Sequence, residues 1–271
     1  MKDLVIVKAA HGDRSQVRMR EAIQSFSFDD RAVLEKVIAS MTLEGIAYKT
    51  LLQRLLAAPL GIDHFFCDGL DKTAATIANK VLREGPFFLD GLLLQAQKEE
   101  DLVYEQVISE IKDLVSLVPQ TWLGAGYTPF FYETETVHTG KSVSRRDKEL
   151  YPYLVRQAGN RNILFMGKGH ALKPFFESRT PFRVIEITLN PFSGFLLNDG
   201  DRFQELIRHA ARGSLEFSVR YNRIQKDDPF ARAVVGYAQD VVAEQNAQPP
   251  LTSFDRSGIN SLLAMGLKPL Y

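Results

Sequence analysis

Two histidines of this chain stand in the same setting. One apolar, β-branched run, VIVKAAH, ends at His11, and another, ILFMGKGH, ends at His170. Neutral imidazole is the commonest nitrogen ligand for metals, and it titrates near neutral pH. In an open α/β sheet, ligands bind beyond the carboxyl ends of the strands. Two such runs side by side in one parallel sheet would put both imidazoles on one rim. A lone histidine after a strand is more often a cap or a satisfied polar residue, so it is the matching pair of turns that points to a site. His64 sits inside a probable strand and His209 in a helix, and both read as structural. His138 follows Glu133 and Glu135 and is either a further ligand or a loop residue.

Gly167-Lys168-Gly169 precedes His170 directly. Glycines let backbone N–H groups approach an anion, so these three residues are candidates for holding a cofactor or an anionic group. The full phosphate-loop pattern GxxxxGK[ST] is missing, as are HExxH, CxxC and GxSxG. Cys67 closes an apolar run and reads as a packing residue.

The elements that must position these residues follow from periodicity. Leu4–Val7 reads as a buried first strand. Asp13-Arg14-Ser15-Gln16 has capping-box spacing and predicts a helix after it. Residues 29–58 keep helical spacing, with Leu51, Leu52, Leu55 and Leu56 on one stripe. Residues 62–67 form a second strand followed by Asp68-Gly69, and 71–118 look helical again, broken at Gly85-Pro86. Residues 130–139 alternate and read as an extended segment. From there helix and strand alternate: a helix over 144–158, a strand over 162–166, a short helix over 171–178, a strand over 182–189, a helix over 200–212, an edge strand over 215–221 and a late helix over 228–245. Strands alternating with helices predict an α/β fold, a central mainly parallel sheet with helices on both faces. Residues 1–271 then form a single α/β domain, with a predominantly helical insertion over 71–160.

Composition narrows the classes. Hydrophobic residues at 45% and charged residues at 24% suit a packed globular chain. Lys+Arg and Asp+Glu are equal at 33 each, so nothing advertises a polyanion, and no nucleic-acid partner is expected. No run approaches a membrane span, so no membrane partner is expected. The single cysteine permits no intrachain disulfide and fits a reducing compartment. The N-terminal apolar stretch is broken too early, by Lys8 and His11, for a signal peptide. The expected location is cytoplasmic, and an oligomer stays open.

A resemblance joins these pieces. SRRDKELYPYLVRQAGNRNILFMGKGHALKPFFES resembles the closing motif of the TraB/ChaN-like superfamily, which includes the TIKI metalloproteases and the erythromycin-esterase-like proteins. That motif is an Arg-containing helix, a strand and GxxH; Arg146 stands in the helix and Gly167 to His170 supply GxxH. LVIVKAAHGDRSQVRMREAI is similar to the family's first strand and turn, with His11 at the histidine and Ser15 at a common following serine. Lys8 stands where the first GxxH has glycine, and Asp68 where the family offers a glutamate. The resemblance implies a divalent-metal site and hydrolytic chemistry in some members.

The expected function is a metal-dependent hydrolase. His11 and His170, with Asp68 or Glu135, would hold a divalent ion (manganese, cobalt or zinc) that activates water against a small-molecule or peptide substrate. Arg146 would steady developing negative charge. Two alternatives stand beside it. His11-Gly12-Asp13-Arg14 resembles the HGS-R opening of class II tetrapyrrole chelatases, whose planar substrate needs an apolar cleft, with Phe130, Phe131 and Tyr132 as candidates; there the later histidine is followed by glycine, whereas here Gly169 precedes His170. The third reading is a non-catalytic, degenerate binding domain of the same fold, in which Lys8 takes the place of the lost cation.

Overall fold

The first strand, β1 (Lys2–Ala9), buries Leu4, Val5, Ile6 and Val7 completely. A strand buried on both faces belongs in the middle of a sheet covered by helices on both sides. The computed structural model of the chain describes residues 1–9, 31–67, 80, 87–99, 108, 130–131, 143–168, 170–190 and 214–247. After β1 come α1 (Arg31–Ala57), β2 (His64–Cys67), α2 (Phe87–Lys98), β3 (Phe130–Phe131), α3 (Val143–Gln157), β4 (Arg161–Gly167), a 3-10 turn (Lys173–Phe176), β5 (Phe182–Leu189), β6 (Phe217–Asn222) and α4 (Pro229–Ala247).

The six strands lie in the order β3-β2-β4-β1-β5-β6. The first five are parallel, and β6 closes the edge antiparallel to β5. The fold is therefore α/β with a mainly parallel central sheet. Alternate residues divide between two cores, as period-2 side-chain alternation requires. Val5, Val7, Phe165 and Ile187 face α1, α2 and α4. Leu4, Ile6, Met166 and Val184 face α3 and the 3-10 turn, through Leu150, Leu154 and Phe175.

The faces obey one rule. From β1 to β2 and from β2 to β3 the chain moves one way across the sheet, over the α1/α2 face. From β3 to β4 and from β4 to β5 it moves the other way, over the α3 face. Parallel crossovers of a single hand must change face when they change direction.

Two sequence expectations are refined. The segment 71–160 holds α2 and α3 among its described residues, but it also supplies edge strand β3 and the crossover helix that leads into β4. The short helix over 171–178 is a single 3-10 turn. Leu172, at its N-cap, takes a left-handed φ of 54°, and Pro174 follows within the first turn. The helices expected after Asp13 and over 200–212 lie outside the described residues.

The amino end of the sheet is tied by polar contacts. Arg183 clasps Asp3 through Nε at 2.6 Å and Nη2 at 2.9 Å, and its Nη1 reaches Asp228 at 3.0 Å. Asp228 also caps α4, its Oδ1 accepting from Phe230 N at 2.9 Å. The turn before β4 is held by Asp63, whose Oδ2 accepts from Asn160 N at 2.5 Å and Arg161 N at 3.0 Å. A Cβ on Gly159 would lie 2.6 Å from Asp63 Cβ. Gly159→Ala must therefore push Asp63 off its two donors. The expected loss is about 2 kcal/mol, the scale of local overpacking plus weakened hydrogen bonds. Urea unfolding checks it: a change below about 0.5 kcal/mol, the scale of an indifferent surface substitution, would mean that the turn yields freely.

Candidate functional site

The strands that precede His11 and His170 in the sequence are adjacent. β1 pairs with β4 in parallel, and Ala9, the last residue of β1, lies opposite Gly167, the last of β4. The chain after β1 goes on to α1 on one face, and the chain after β4 goes to the 3-10 turn on the other. Neighbouring strands whose connections part to opposite faces open a crevice at their carboxyl ends, where α/β proteins bind ligands. His11 is two residues past Ala9, and His170 three past Gly167.

The residues expected at this site fall into two groups. Gly167, Lys168 and His170 are described; His11, Asp68, Glu135, His138 and Gly169 lie outside the described residues. Arg146 lies in the first turn of α3, although its side chain is outside the described set. Because α3 reverses direction to enter β4, that first turn is at the carboxyl end of the sheet.

His170 is 4% exposed. Its N–H donates to Gly167 O at 3.4 Å, which closes the turn. Its carbonyl accepts from Lys8 Nζ at 2.5 Å. The same ammonium lies 3.2 Å from Glu186 Oε2, with both side chains more than nine-tenths buried. Lys8 continues the inward row Leu4, Ile6 on β1, and Glu186 continues Phe182, Val184 on β5; both rows face α3. The ion pair therefore replaces the last apolar layer of that core at the carboxyl rim.

A second buried pair stands on the other side of the turn. Lys168 Nζ pairs with Glu44 Oε1 of α1 and donates to Asn190 O at 2.8 Å. Burial pushes the Lys168 ammonium below its ordinary pKa, with the charge and hydrogen bond of Glu44 opposing. Its charge is thus engaged inside the protein. Helix α1, with 27 residues, is roughly 40 Å long and outreaches the strands, which places its midpoint residue Glu44 at their carboxyl ends.

Of the three non-glycine residues with positive φ among the described residues, two stand at this rim; the third, Arg223 (φ 59°), follows β6 at the opposite end of the sheet. Leu172 and Asn190 both adopt left-handed φ, 54° and 47°. Asparagine tolerates this region, but a buried leucine does not do so cheaply, and such residues concentrate at functional sites.

Sequence reasoning missed Glu186, Glu44 and Asn190. A signal did exist for the first: RVIEITL breaks an apolar strand with one charge, as LVIVKAA does with Lys8. His64 stands at the amino end of β2, away from this rim, and burial lowers its pKa.

The described donors can be tested against a divalent ion. Among the described residues no group of three or more His, Cys, Asp or Glu is placed to hold a metal. Glu186, the carboxylate joined to the His170 turn through Lys8, already faces a fixed ammonium. The described donors alone do not make up a divalent-cation site; His11, Asp68 and Glu135, the other ligands expected from the sequence, lie outside the described residues. No helix among the described residues is long and apolar enough to cross a membrane. No protein-family model, curated protein or solved structure matches the chain.

Proposed function

We propose that the crevice between β1 and β4 is the small-molecule site of a non-catalytic binding domain of TraB/ChaN-like type, in which the Lys8 ammonium takes the place of a divalent cation. The observation that carries this reading is the buried contact of Lys8 with Glu186 and the His170 carbonyl. An ion of two positive charges placed beside that ammonium, out of water, meets repulsion that the single carboxylate does not offset. The reducing, cytoplasmic setting suggested by the lone cysteine belongs to the same proposal.

The metallohydrolase is the second reading. It keeps one favourable observation, that the strands preceding His11 and His170 are adjacent and parallel. Its remaining ligands would be Asp68 or Glu135, with Arg146 near the same edge. The chelatase reading fares less well, because Phe130 and Phe131 form β3, separated from β4 by β2.

Elemental analysis separates the readings. Protein purified without chelators and incubated with manganese, cobalt or zinc is expected to hold well under one equivalent of metal. His11→Ala and His170→Ala should leave that content unchanged. One full equivalent in the wild type, lost in both variants, would overturn the binding-domain reading and establish the metal site.

A further inference from the structure

The Lys8–Glu186 pair has hydrogen-bonding capacity that the described residues leave unused. An ammonium carries three N–H donors. Among the described residues Lys8 spends one of them, on His170 O. Glu186 Oε2 is 3.2 Å from the ammonium but out of hydrogen-bond alignment, so this buried oxygen has no hydrogen-bond partner among the described residues. The pair Asp3–Arg183 at the opposite end of the sheet differs: it is bidentate, with two aligned contacts of 2.6 and 2.9 Å. Buried polar atoms in folded proteins are nearly always satisfied, and an exception at a ligand-binding edge calls for a partner from outside the chain.

Resting on the small-molecule reading of this crevice, we infer that Lys8 and Glu186 together bind an uncharged polar group, a hydroxyl or carboxamide that accepts from the Lys8 ammonium and donates to Glu186 Oε2. Charge decides the class. The pair sums to zero. An added anion would face the Glu186 carboxylate, and an added cation would face the Lys8 ammonium, each in a poorly solvated site. A neutral group with an acceptor beside a donor meets neither repulsion and satisfies both partners. Phosphates, carboxylates and amines are disfavoured on the same ground.

Three molecules of similar size test this: glycolamide (neutral), glycolate (anion) and ethanolamine (cation). Each is titrated into the full chain at pH 7 while the side-chain resonances of Lys8 are followed by NMR. Glycolamide is expected to bind at least roughly tenfold more tightly than either of the others, a modest factor for like charges this close. E186Q removes the carboxylate charge and should move the preference to glycolate. The double variant K8M with E186L replaces the pair by apolar groups and should bind none of the three. Tighter binding of glycolate or ethanolamine to the wild type would overturn the inference. So would glycolamide binding that survives in the double variant, or no response to any probe, which would mean that water alone fills the gap. Metal analysis of the same samples keeps the failures apart. A histidine-dependent equivalent of metal sinks the underlying reading, whereas a glycolate preference without metal sinks only the ligand class.

Discussion

Lys8→Met is expected to cost about 3–5 kcal/mol, the scale of breaking a buried ion pair by removing one partner. The methionine occupies nearly the same space, so lost packing contributes little. What remains is Glu186, buried at the end of an apolar row with its counter-charge gone. Adding Glu186→Leu should recover most of the stability, to within about 1 kcal/mol of the wild type, because a well-packed apolar pair of similar volume often matches a buried ion pair. Urea unfolding of the wild type, both single variants and the double variant gives the coupling directly. A single Lys8→Met loss under about 1 kcal/mol, the scale of an exposed pair, would mean that the pair is effectively solvated. Additive losses in the double variant would mean that the two residues act independently. Either result would remove the basis for treating Lys8 as the resident cation of the crevice.

The strands were readable because their constraint is local. The strand expected over 182–189 is β5, Phe182–Leu189, and the apolar run Leu4–Val7 is the centre of β1. The long stripe through Leu51, Leu52 and Leu55 likewise lies on one helix, α1. Short-range preferences read less well where one residue overrides them. Leu172 in a left-handed conformation, with Pro174 behind it, turns an expected helix into one 3-10 turn. Strand order was beyond local reading altogether. That β1 sits between β4 and β5 follows from how two cores cover both faces of the sheet, and no window of sequence contains it. The candidate site divides the same way. The sequence pointed to the segments that follow two strands, and those strands, β1 and β4, are neighbours that end side by side at Ala9 and Gly167. The pairs Lys8–Glu186 and Lys168–Glu44 could not be found, since each joins elements distant in the chain. A lysine interrupting an apolar strand shows that a counter-charge is needed without showing which glutamate supplies it.

Asn162→Ala should be nearly as damaging as the Lys8 change, yet silent in function. Asn162 is fully buried near the start of β4, between Leu4 of β1 and His64 of β2. Its amide donates to Asp3 O at 2.9 Å and Gly159 O at 3.1 Å, and its Oδ1 accepts from Gly159 N at 2.8 Å. Alanine removes all three bonds and strands the buried Asp3 carbonyl together with the half-buried backbone groups of Gly159. At about 1 kcal/mol per bond, with a further cost for stranded groups, the expected loss is about 3 kcal/mol. The position is roughly 13 Å, four strand residues, from the level of Lys8, which lies opposite Met166. Where the variant remains folded, its glycolamide affinity should stay within about twofold of the wild type, since distant sites combine with little coupling. Lys8→Met, by contrast, should alter both stability and the order of preference among the three probes. Measuring unfolding and probe affinity on the same preparations therefore tests the division of labour between the two ends of the sheet. If Asn162→Ala reversed the preference between glycolamide and glycolate, the recognition assigned to the carboxyl end would have to be placed elsewhere.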